Sequence, residues 1–140
     1  MKKLVLPAII TGLFLVSGCG QTIEEEAKDT VETYMEAVEK EELETVIEML
    51  AKDHQYEMPD LAFEMLFDSY DLDYEIEKMT VVSADENKVV IEVIQTNKII
   101  NVTGQEFLKD SRVTATHTLV KEDGDLKFLS TEYSNAEELK

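Results

Sequence analysis

Only a few side chains in this chain are of a type and spacing that could do chemistry. His117 is the first. It lies in Arg112 to Lys121, where Val113, Ala115, His117 and Leu119 alternate with Thr114, Thr116 and Thr118. Period-two alternation makes this a strand with His117 on its apolar face, pointing inward at the helical stripe that carries Tyr34 and Val38. A histidine there is either a neutral core group held by one or two hydrogen bonds or a group that meets a ligand. His54, the other histidine, sits in the polar stretch Asp53-His54-Gln55 and is expected at the surface. Two histidines and the lone Cys19 give no zinc-ligand spacing. Asp71, Asp73 and Glu75 have the alternate spacing that opens a calcium loop. However, Ile76 falls where that loop needs glycine and Val82 where it needs glutamate, which excludes an EF-hand. The acids are then expected in a solvated helix-to-strand connection. No catalytic residue, metal site or cofactor is assigned.

Cys19 is the only thiol, and it closes the run Leu15-Val16-Ser17-Gly18-Cys19. Lys2 and Lys3 precede an apolar stretch from Leu4 to Val16, 13 residues long and interrupted by Pro7 and Gly12. A membrane-spanning helix needs about 20 residues. A basic start, a short apolar run and small residues at a boundary are instead the parts of a secretory signal. With cysteine at that boundary, the stretch resembles the lipobox of bacterial lipoproteins. The resemblance implies cleavage after Gly18 and a diacylglyceryl group on the Cys19 thiol. Residues 1–18 would be the signal peptide, 19–23 a lipidated tether and 24–140 the folded domain. The chain would then sit on the extracytoplasmic face of a cell membrane, as on a Gram-positive surface.

The net charge is −18, from 31 acidic and 13 basic residues. The imbalance is concentrated between Glu24 and Glu77, where 20 acids face three lysines. Such a surface repels nucleic acid and anionic lipid head groups and suits a cationic partner or simple solubility. Beyond Cys19 there is no cysteine, so stability rests on packing without disulfides.

The elements that must position His117 follow in order. Thr22-Ile23-Glu24-Glu25 has the spacing of a capping box. From it Ile23, Ala27, Val31, Tyr34, Met35 and Val38 recur at intervals of three and four, which predicts an amphipathic helix. The stripe breaks at Glu39 to Glu42 and resumes through Leu43, Val46, Ile47 and Leu50, predicting a second short helix that ends near Lys52. Pro59 interrupts again, and Leu61 to Phe67 reads as a third helical segment. Strands are predicted at Tyr74 to Val82, with a bulge between Ile76 and Met79, and from Val89 to Ile94 after an Asp85-Glu86-Asn87 turn. Asn101 to Gly104 turns the chain into Arg112 to Lys121. Asp123-Gly124 signals a hairpin into a last strand, Leu126 to Tyr133, with Asn135 capping an acidic tail. Helices followed by a meander of about four antiparallel strands give an α+β domain, its helices on one face of a curved sheet.

The run from Tyr34 to Asp53, two helices joined at an acidic break, resembles the N-terminal signature of the NTF2-like (SnoaL-like, ketosteroid-isomerase-like) superfamily. The hairpin from Leu119 to Tyr133 is similar to the closing strands of such domains. This chain departs in having Glu41-Glu42 where Gly-Asp is common, and in lacking a tryptophan around Leu126-Lys127-Phe128. The resemblance implies a conical domain with a pocket between helix and sheet, for which Tyr34, Tyr74, His117 and Tyr133 are the candidate lining residues. They match no catalytic motif of the superfamily. Three function classes follow. One is a non-catalytic module binding a small apolar ligand or a protein, one an isomerase or hydrolase using the same pocket, and one a structural spacer at the membrane. A binder needs apolar lining, an enzyme needs converging ionisable groups, and a spacer needs a filled core.

Overall fold

The computed structural model describes residues 21–104, 106 and 108–140, so Cys19 and the stretch expected to be a signal peptide lie outside the described residues. The first helix, α1, spans Ile23–Glu39. It starts where the sequence places it: Glu25 N donates to Thr22 Oγ1, and Thr22 N donates back to the Glu25 carboxylate, both at 3.2 Å. Both donors would otherwise be orphans of a helix start. Ala27, Val31, Met35 and Val38 of the predicted stripe are buried.

α1 ends as Glu41 enters the left-handed region at φ 57°. A side chain is strained there by about 1 kcal/mol, and glycine is not. The glycine common in the superfamily thus has a backbone reason, and this chain tolerates Glu41 in its place. The second helix, α2, covers only Leu43–Glu48, shorter than the predicted run to Lys52. Residues 49–55 instead form a strap along the last strand. Phe128 N donates to Met49 O at 2.8 Å, Ala51 N to Phe128 O at 2.9 Å and Gln55 N to Leu129 O at 3.1 Å. The Gln55 amide completes the strap by accepting from Thr131 N and donating to Thr131 O.

The third helix, α3, spans Pro59–Ser69. Pro59 starts this helix instead of interrupting one, because a first-turn residue needs no amide donor. None of its residues is fully buried. Phe63, Leu66 and Phe67 are half-buried, while Met58, Leu61 and Met65 are 68%, 46% and 62% exposed.

Four antiparallel strands follow in the order β1-β2-β3-β4: β1 Tyr70–Ala84, β2 Lys88–Val102, β3 Ser111–Glu122 and β4 Asp125–Glu138. The expected bulge in β1 is present as a register shift between Ile76 and Lys78, and Ile76 and Met79 both pack inward. β1 begins four residues earlier than predicted. Asp71, Asp73 and Glu75 therefore belong to an edge strand and not to a helix-to-strand loop. β4 likewise continues past Tyr133, and Asn135 does not cap a tail. It sits at φ 51° beside a register shift opposite Val113, the signature of a bulge. Asp123 and Gly124, at φ 51° and 89°, make the two-residue hairpin turn.

The core lies between α1 and the inner face of the sheet. Ala27, Val31 and Met35 meet Val89, Ile91 and Val93 of β2, Leu119 of β3, and Leu126 and Phe128 of β4. The Lys121 ammonium lies 2.7 and 2.8 Å from the two Glu26 carboxylate oxygens and ties α1 to β3. The expected α+β architecture, helices on one side of an antiparallel sheet, is the one observed.

Candidate functional site

β3 presents Val113, Ala115, His117 and Leu119 to the interior, all at 5% exposure or less. His117 faces Thr131 of β4 in register, and its Nδ1 lies 2.8 Å from Thr131 Oγ1. Its ring meets Phe128 edge-on, with centroids 5.2 Å apart. Tyr34 of α1 stacks obliquely on the other part of Phe128, at 4.4 Å. Phe128 is thus the wall on which His117 and Tyr34 are both set.

Beside that wall is a cavity of about 220 Å³. The four candidates from the sequence, Tyr34, Tyr74, His117 and Tyr133, all line it. Met35 and Val38 of α1, Phe63 and Leu66 of α3, Tyr56 of the segment before α3, and Gln95 of β2 complete it. Tyr56 packs against Phe63, and Phe63 against Phe67, so an aromatic row runs along the helical side. His54 is half-buried rather than fully at the surface, with Nδ1 accepting from Tyr56 N at 3.1 Å. Two larger clefts, of about 450 and 400 Å³, are lined mainly by carboxylates and threonines of the acidic surface. The smaller cavity is the one that gathers aromatic and buried polar groups.

Alternation in β2 carries the signal for Gln95. Val89, Ile91, Val93 and Gln95 share one face, so the strand that buries three aliphatics buries the amide too, at 4% exposure. Tyr56 has no comparable signal, because the strap preceding it is held by Gln55 pairing with Thr131, 76 residues away.

Burial governs the electrostatics at the inner end of the cavity, around His117 and Gln95, whereas Tyr133 at its rim is 64% exposed. Burial pushes His117 down from 6.5 to about 4, so the imidazole is neutral at pH 7. Burial, and then the neighbouring Tyr56, Tyr133 and Tyr74, raise the Tyr34 phenol well above its ordinary value. Burial also raises Tyr74, with smaller contributions from Tyr133 and Glu39. Glu39 stays outside the lining, its carboxylate accepting from Tyr74 N at 2.8 Å. Two buried polar atoms of the cavity, Gln95 Oε1 and His117 Nε2, have no hydrogen-bond partner. Among the described residues, no group of three or more His, Cys, Asp or Glu is placed to hold a metal. None of the described helices is long and apolar enough to cross a membrane.

The depressed His117 value makes a pH prediction. Between pH 6.5 and 4 the unfolded chain takes a proton on this histidine that the folded chain refuses. The stabilisation is therefore complete above pH 6.5 and lost as pH falls toward 4, by about 3 kcal/mol in all. Urea unfolding of the protein and of His117→Gln across that range should show the unsubstituted chain losing more stability than the variant. A constant difference from pH 7 to 4 would mean that His117 ionises freely in the folded state.

Comparison with solved structures gives the fold. A candidate scytalone dehydratase from Novosphingobium aromaticivorans superposes with TM-score 0.70 at 12% identity, over 93% of this chain and 92% of that one. A candidate dehydratase of the NTF2-like family from Streptomyces avermitilis gives 0.64 at 12% identity, over 79% and 93%. An NTF2-like protein of unknown function from Pseudomonas putida gives 0.60 at 15% identity, over 82% and 89%. The fold is NTF2-like, as the resemblance implied. No curated protein sequence matches the chain. Residues 29–139 match the family model described as the C-terminal domain of the anti-sigma-I factor RsgI9, and the chain belongs to that family.

Proposed function

We propose that this domain is a non-catalytic binding module whose ligand is a small, largely apolar molecule held between α1, α3 and the sheet. The observation that carries this is the lining. No Asp, Glu, Lys or Arg lines the cavity, the phenols of Tyr34 and Tyr74 are held protonated and His117 is held neutral. An isomerase or hydrolase in the same pocket needs a general base with a pKa near the working pH. His117 lies well below that, and the tyrosines are shifted away from it. A purely structural spacer has no use for a cavity bounded by two unpartnered polar atoms. The family takes its name from an anti-sigma-I factor, and a domain that reads a ligand without consuming it suits a regulatory protein. We further propose that a lipid on Cys19 holds the domain at the outer face of a membrane, with the acidic surface keeping it off anionic head groups.

The test is a thermal-shift screen of small aromatic and alicyclic compounds, repeated on Leu66→Trp, which fills the cavity from α3. A true pocket ligand at a hundred times its Kd should stabilise the chain by about 2.7 kcal/mol and do nothing to the variant. Equal stabilisation of both proteins would place the ligand elsewhere. Chemical conversion of a bound compound would replace the binding reading with the enzymatic one.

A further inference from the structure

We infer that the cavity selects a neutral ring compound carrying an N–H or O–H donor, which it receives on Gln95 Oε1 with His117 Nε2 as the second polar contact. This rests on the pocket reading above and adds the chemical class. Gln95 and His117 lie on the same face of adjacent strands but four positions apart along them, since Gln95 pairs with Val113 and Ile91 with His117, so they stand at two ends of the lining and a ring lies between them. Both are 4% exposed, and both line the cavity. The Gln95 amide nitrogen has a partner, one of its N–H groups donating to Asn97 Oδ1 at 2.6 Å, whereas the carbonyl oxygen has none. The unpartnered atom that Gln95 brings to the cavity is thus a carbonyl oxygen, which can only accept. His117 Nε2 accepts when Nδ1–H donates to Thr131 Oγ1 and donates in the other tautomer, so it adapts to either kind of ligand atom.

Size and charge narrow the class further. An apolar cavity of about 150 Å³ takes up benzene. At about 220 Å³ this one has room for a ring with a substituent or for two fused rings. Tyr34, Tyr56, Phe63, Tyr74 and Tyr133 supply aromatic surface around it. An ion would leave water for a site with no opposite charge in its lining, which is costly for either sign. A neutral donor gains a partner and satisfies a buried oxygen that no protein group reaches.

Titration calorimetry with two matched pairs tests this: phenol against anisole, and indole against N-methylindole, with benzoate as the charged control. The donor-bearing member of each pair should bind at least about tenfold more tightly, and benzoate should not bind. In Gln95→Leu, which keeps the volume but loses the acceptor, the preference within each pair should disappear while anisole and N-methylindole still bind. If both members bind equally to the unsubstituted protein, the pocket reading stands and the donor assignment falls. The assignment also falls if the preference survives in Gln95→Leu. If none of the probes binds, both fall together. The comparison in the unsubstituted protein is decisive even where Gln95→Leu fails to fold.

Discussion

Phe128→Ala should lower the unfolding free energy by about 3–5 kcal/mol, the usual cost of deleting a fully buried phenylalanine. That is a large share of the roughly 5–15 kcal/mol that holds a domain of this size together. Phe128 is 1% exposed, and three different parts of the fold converge on it. Tyr34 brings α1 against its ring, His117 brings β3 to it edge-on, and its own backbone pairs with the strap at Met49 and Ala51. Removing the ring leaves a hole behind His117 and Tyr34 and releases two aromatic contacts worth roughly 0.5–1.5 kcal/mol each beyond their area. Phe67→Ala, on the half-buried α3, should cost far less. Urea unfolding of the two variants measures the difference. A loss below about 1 kcal/mol for Phe128→Ala would mean that the surrounding core collapses onto the space left and that Phe128 does not hold α1, β3 and the strap together.

Cys19→Ser should move the protein from the membrane fraction to the soluble one, or leave the leader uncut. Two acyl chains of about 15 buried CH₂ groups each, at about 0.8 kcal/mol per group, hold a lipidated domain against any realistic dilution. None of the described helices is long and apolar enough to cross a membrane, and the net charge of −18 opposes adsorption to anionic lipid. Fractionation of cells expressing the two forms, with mass analysis of the N-terminus, reads the result. Unlipidated protein released by cells carrying the unsubstituted sequence would end the proposal.

The helical half of the fold was legible because its signals are local. The capping box at Thr22 and the stripe from Ala27 to Val38 need only neighbours within a turn or two. Alternation in β3 likewise put His117 on the correct face without reference to any other element. Element ends were less legible. Tyr70 to Asp73 reads as an acidic connection until pairing with Asn101 and Val102 makes it strand, and that pairing is non-local. Pro59 was read as a break because a proline that ends one helix and one that begins another look alike in sequence. At the site, the four aromatic and histidine candidates follow from the resemblance and the pocket it implies, whereas Gln95 lies just past the strand predicted to end at Ile94, although the same alternation, continued, points it inward. Tyr56 could not have been found, since its position depends on a strap defined by contacts with β4.

The rims of the sheet bear on how the molecule behaves in a crowded solution. A long, flat outer strand is a template on which other chains add and aggregate. Here β1 carries Asp71, Asp73, Glu75 and Glu77 along such a rim and is broken by three register shifts. On the opposite rim the strap occupies the hydrogen-bonding groups of β4 near Phe128 and Thr131, and the remainder is bulged at Asn135 and bears Glu137 and Glu138. The acids that resemble a calcium loop in sequence thus serve a colloidal purpose. They keep neighbouring copies from extending one another's sheets.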